Sequence, residues 1–197
     1  RLIYGDAEAP VQMLEFLEMG CPHCSTYVLD VSRLMALEVA SGNLQIETAI
    51  MVFGGNEGTS GLATEAIYCA TEQGKGYTAF ETLFASYRSQ GGQAYTREAI
   101  QSTLGSDEVG VDVDALSACL DEGTYQERIA ATNMRASDLA VTGTPGVLFA
   151  PGDGEFQFLE VPGGQTWTGG VPLEIVQVVI GQVQAGVVDL QQQHAVH

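Results

Sequence analysis

The ten residues EFLEMGCPHC, Glu15 to Cys24, constrain the chain more than any other stretch. An apolar run from Val11 to Met19 reads as a β-strand, and only Gly20 separates it from two cysteines spaced by Pro and His. Proline suits the first position of a helix, where its missing N–H has no intrahelical acceptor to lose. Strand must therefore give way to helix here, with Pro22 at the first position and Cys21 as the cap, facing backbone N–H groups that lack an intrahelical partner. Those donors and the helix dipole favour a thiolate at Cys21. Cys24 differs, because Cys24, Val28, Val31, Met35 and Val39 recur at helical spacing on one apolar stripe. A disulfide between the two cysteines would expose one sulfur to attack and hide the other. His23 adds a donor or a positive charge beside Cys21, which stabilises the thiolate and makes it a better leaving group.

Glu15 is the one polar member of the strand face formed by Val11, Met13, Glu15, Leu17 and Met19. The alternation predicts a buried carboxylate, raised in pKa by desolvation and able to exchange a proton with Cys24 above it. A satisfied edge-strand glutamate is the alternative, as a solvated helix-start residue is for His23. A lone C-x-x-C is also half of a zinc site. No second C-x-x-C and no H-x-x-x-H follow, and the other histidines, His194 and His197, fall in the tail QQQHAVH, so no metal site is expected.

Leu44 to Phe53 reads as a second strand, with a helix from about Pro22 to Ser41 between the two, a β-α-β start. Helical patterns then follow over Thr59–Gly74, Lys75–Ser89, Thr96–Leu104 and Val113–Leu120, broken by GKG, QGG and LGSDEVG. A further helix, Tyr125 to Ala140, leads to β-rich runs at Gly146–Ala150 and Glu155–Val161 around PGDG, a hairpin signal, and a last helix runs from Pro172 to about Ala185. The pattern is an α/β unit interrupted by helices. We divide it into residues 1–57, an inserted helical domain at 58–124, and 125–197.

The chain has 197 residues, enough for one core with an insertion. Its formal charge of -18, with 25 Asp and Glu against 7 Lys and Arg, leaves no surface for a phosphate backbone, so nucleic acid is excluded as a partner. The same acidity fits a saline habitat or ordinary solubility charge. No run is long and apolar enough to span a bilayer, and the chain opens at Arg1 without Met or a leader-like stretch. It reads as a mature or trimmed chain, with any export signal or anchor lying outside it.

These residues resemble the thioredoxin-fold disulfide oxidases of the DsbA type, especially the branch of Gram-positive and alphaproteobacterial lineages. The resemblance rests on YGDAEAPVQMLEF, GCPHC, IYCATEQGKGYTAFETLF, DVDALSACLDEGTYQERI and VTGTPGVLF, which together span most of the chain. It implies a thioredoxin fold with an inserted all-helical domain, and a cis peptide before Pro145 packed opposite the cysteine pair. It also implies that Thr144 offers backbone groups to an extended substrate peptide, and that Glu15 is the family's buried acid. Some members carry Val where Thr144 stands, a position that tunes redox behaviour. Some relatives have a disulfide between two helices of the insertion, which implies the same for Cys69 and Cys119. Two buried free thiols are the alternative on the residues themselves.

The implied activity is that of an extracytoplasmic protein disulfide oxidase, periplasmic, secreted or membrane-tethered, with no cofactor beyond its redox-active disulfide. Its expected partners are folding protein thiols as substrates and a quinone-linked membrane oxidant for recycling, with the enzyme itself a monomer. A reductase or isomerase of the same fold is the first alternative, and a non-catalytic binding or metal-carrying module the second. Kappa-class glutathione transferases and hydroxychromene isomerases share helical insertions, but generally carry Ser where Cys21 stands.

Overall fold

The computed structural model describes residues 2–53, 58–152, 154–161 and 165–186. A mixed six-stranded sheet has the order β1-β3-β2-β4-β5-β6. At its centre β2 (Val11–Glu18) runs parallel to β3 (Leu44–Met51) and antiparallel to β4 (Gly146–Pro151). A strand covered on both faces should be apolar nearly throughout, and β2 is: every residue but Gln12 is buried. Beyond β4 lie β5 (Gln157–Val161) and β6 (Gln165–Trp167), and on the other edge β1 (Leu2–Tyr4) pairs antiparallel with β3.

β1 and β6 leave no pattern in the sequence. Each has three residues, too short for a period-two pattern to stand out, and each forms only because a neighbouring strand offers a free edge. The PGDG turn includes Asp153, and His194 and His197 belong to the tail. These three residues lie outside the described ones.

The helix expected over Pro22–Ser41 is three pieces. α1 (Pro22–Asp30) ends at Val31, whose φ of -123° and ψ of -63° leave the helical region. A 3₁₀ turn, Ser32–Met35, and the short α2 (Ala36–Ala40) follow. The apolar stripe runs through the break unchanged, which is why periodicity alone shows one helix. The break turns the Ser32 hydroxyl onto Glu15 Oε2 at 3.2 Å.

Between β3 and β4 come α3 (Thr59–Glu72), α4 (Gly76–Gln90), a 3₁₀ turn (Gly91–Tyr95), α5 (Arg97–Leu104), α6 (Val113–Glu122) and α7 (Gln126–Asp138). α6 is capped by Asp112, whose carboxylate accepts from the N–H groups of Asp114 and Ala115 at 2.9 and 3.0 Å, and it ends on Gly123 at a φ of 61°. α8 (Leu173–Gln184) closes the described chain.

Two apolar layers flank the sheet. On one face Val11, Met13, Leu17 and Met19 pack with Val28 of α1, Phe80 and Phe84 of α4 and Val176 of α8 in one continuous core. On the other, Leu14, Phe16, Met51 and Leu148 meet Ala136 of α7. The inserted helices thus share the main core with α1, which seats them beside the start of that helix.

Candidate active site

Cys21 caps α1. Its φ of -89° and ψ of 115° are those of an extended cap residue, and its Sγ accepts from the Cys24 N–H at 3.3 Å. Pro22 occupies the first turn, and Pro22 and His23 are exposed. Cys24 is 0% exposed, whereas Cys21 is only partly covered, so one sulfur faces the surface and the other the core. Both are free thiols in this structure. Burial pushes the Cys24 thiol well above its ordinary range, against the pull of hydrogen bonds from Thr144 and the Glu18 backbone.

The loop before β4 brings Thr144 and Pro145 across from α1, with the Thr144–Pro145 peptide cis. The Cys21 thiol points to the Thr144 carbonyl at 3.5 Å, so residues 123 positions apart share one site. Gly170 closes it from behind. A Cβ there would stand 2.6 Å from Cδ2 of Tyr27 and 3.1 Å from Cγ of Pro145.

Glu15 is 1% exposed. The parallel register sets it beside Thr48, whose hydroxyl donates to Oε1 at 2.6 Å, while Ser32 donates to Oε2. Burial raises its pKa to about 7, and the two hydroxyl donors pull the other way. Its hydrogen bonds run to Ser32 and Thr48, and none joins it to Cys24.

Cys69 of α3 and Cys119 of α6 form a disulfide inside the helical insertion. Among the described residues, no group of three or more His, Cys, Asp or Glu could hold a metal ion.

The family model described as thioredoxin matches residues 1–151, which include the whole C-P-H-C segment and the Thr144–Pro145 loop. The chain belongs to the thioredoxin family. A protein of Bacillus anthracis named probable disulfide bond formation protein D is 26% identical over 145 residues, covering 73% of this thioredoxin-family chain and 66% of that protein. The match thus spans just under two thirds of the relative's length. The crystal structure of oxidised BdbD from Bacillus subtilis superposes with a TM-score of 0.74 at 16% identity, covering 93% of this chain and 92% of that one. That of α-DsbA1 from Wolbachia pipientis gives 0.72 at 18%, covering 94% and 91%. The fold is therefore the DsbA-type thioredoxin fold with its helical insertion.

Several residues of this site carry no sequence signal. Ser32 and Thr48 become visible only once the helix break and the strand register are known. Glu18, 9% exposed at the end of β2, flanks the cysteine loop, and the tyrosines Tyr87 and Tyr95 reach that loop from distant segments.

Proposed function

We infer that the chain is a protein thiol:disulfide oxidoreductase that passes a Cys21–Cys24 disulfide to the thiols of other proteins. The observation that carries this reading is the asymmetry of the pair: Cys21 caps α1 at the surface beside the Thr144 carbonyl, and Cys24 is buried behind it.

In the oxidised protein, a substrate thiolate attacks Cys21 Sγ. The Cys21–Cys24 bond breaks, Cys24 leaves with the electron pair and takes up a proton, and a mixed disulfide forms between Cys21 and the substrate. A high Cys24 pKa favours that protonation once the bond has broken. A second substrate thiolate then attacks the substrate sulfur of the mixed disulfide. The substrate gains a disulfide, Cys21 is released as a thiolate, and the enzyme has gained two electrons. An oxidant must remove them, and a quinone-linked membrane partner fits that need.

Further assignments follow. The partly covered Thr144 and Pro145 would present backbone to an extended substrate segment, and His23 would support the Cys21 thiolate. Glu15, buried and raised in pKa, would accept and supply the proton of Cys24. Cys69–Cys119 would be a structural bridge, within an insertion at residues 58–124. Donation of disulfides makes sense only in an oxidising compartment, which favours an extracytoplasmic protein, and the expected working form is a monomer. The disulfide bond formation protein of Bacillus anthracis supports the same reading by its name.

The test is the redox equilibrium of Cys21 and Cys24 against glutathione. An oxidase requires a potential well above the thioredoxin value of about -270 mV, and a value at or below it would make the chain a reductase.

A further inference from the structure

Two consecutive carbonyls lead into Cys21, and each is held by a tyrosine of the helical insertion. Tyr95, in the 3₁₀ turn after α4, donates its hydroxyl to Met19 O at 3.0 Å. Tyr87, near the end of α4, donates to Gly20 O at 2.5 Å. Their rings stack at a centroid distance of 5.3 Å with planes 14° apart, so the pair acts as one rigid block. Tyr95 is fully buried, which anchors that block in the main core. The Glu18 carboxylate also packs against the loop: a Cβ at Gly20 would lie 3.1 and 3.4 Å from its two oxygens. The segment Met19–Gly20 is thereby lined by a buried carboxylate and held by two hydroxyl donors.

We propose that Tyr87 and Tyr95 are positioning residues of the redox centre, a clamp through which the helical insertion fixes the geometry and thiolate stability of Cys21. With both hydroxyls engaged, the negative ends of the Met19 and Gly20 carbonyl dipoles face the tyrosines, and the Cys21 cap is held where its Sγ meets the Thr144 carbonyl and the Cys24 N–H. Without the two hydroxyls the carbonyl dipoles lose the donors that offset them, and the negative potential left next to Cys21 disfavours its thiolate. The reduced form loses stability and the disulfide becomes less oxidising. Burial holds the proton on the Tyr87 hydroxyl, and Glu18, Cys21 and Cys24 within its electrostatic reach add to that hold.

The inference rests on the exchange chemistry proposed above, and the test separates the two. Tyr87→Phe and Tyr95→Phe keep the rings and remove the hydroxyls. Tyr125→Phe is the control, because the Tyr125 hydroxyl donates to the Glu72 side chain and not to a carbonyl of the loop before Cys21. In each variant, thiolate absorbance against pH gives the Cys21 midpoint, the equilibrium with glutathione gives the oxidising power, and thermal unfolding gives stability. The expected result is a higher Cys21 midpoint and a fall of at least about three-fold in the glutathione equilibrium constant in either clamp variant, the size of one neutral hydrogen bond, with neither change in Tyr125→Phe. Clamp variants that lose only thermal stability, or a control that shifts as they do, would overturn the proposal. The thiolate midpoint needs no exchange partner, so it reads the clamp even if the wild type fails to oxidise thiols. Should one clamp variant not fold, the other decides.

Discussion

Glu15 and Thr48 stand side by side on neighbouring parallel strands, with the threonine hydroxyl 2.6 Å from the glutamate oxygen. The contact places a hydrogen-bond donor on a carboxylate that the core otherwise desolvates. Burial still wins, and Glu15 titrates near 7 in the folded chain, against an ordinary value of 4.5.

That shift sets a pH dependence. A carboxyl whose folded pKa is raised binds more protons folded than unfolded between the two values, so stability is fully present below about 4.5 and falls as pH rises through 7. The loss at pH 8 and above is on the order of 3 kcal/mol. Glu15→Gln removes the titration: urea unfolding should show the variant more stable than wild type at pH 8 and nearly equal to it at pH 5. Equal pH slopes in the two proteins would mean that Glu15 ionises freely.

Gly170 is needed for space. A Cβ placed 2.6 Å from the buried Tyr27 ring and 3.1 Å from Pro145 cannot be accommodated by a flexible side-chain end. Gly170→Ala should cost about 1–3 kcal/mol, the usual range for overpacking, and should slow thiol exchange by displacing the Thr144–Pro145 loop from Cys21. Unchanged unfolding and exchange rates would show that the loop yields freely.

The parts of this fold that are visible in the sequence are those with long periodicities or rigid local chemistry. β2, β3 and the inserted helices announce themselves through apolar spacing, and Pro22 alone fixes where α1 begins and makes Cys21 its cap. The break at Val31 is not legible, since the stripe from Cys24 to Val39 continues across it and the cause is tertiary. The partners of Glu15 depend on strand register, a long-range quantity. The tyrosine clamp joins residues 67 and 76 positions apart, and nothing local to Tyr87 or Tyr95 distinguishes them from ordinary core tyrosines.

The Cys69–Cys119 bridge ties α3 to α6 across a separation of 50 residues. Closing a loop of that size restricts the unfolded chain by up to about 4 kcal/mol on the chain-entropy model. The double variant Cys69→Ala/Cys119→Ala should lose much of that stability, while its Cys21–Cys24 equilibrium with glutathione stays at the wild-type value. A shifted equilibrium would mean that the bridge belongs to the redox centre.

Salt should stabilise the folded chain. With a formal charge of -18, compaction brings like charges together, and among the described residues the ion pairs are Arg88–Asp30, Arg97–Asp121 and Arg135–Glu47. Two of those pairs are largely exposed and contribute little, so their screening is a small loss. Net repulsion is the larger quantity, and it weakens as the Debye length contracts from about 10 Å at 0.1 M to about 3 Å at 1 M. The melting temperature is therefore expected to rise between low and molar sodium chloride at constant pH. A flat or falling response would show that the acidic groups are spaced widely enough for repulsion not to matter.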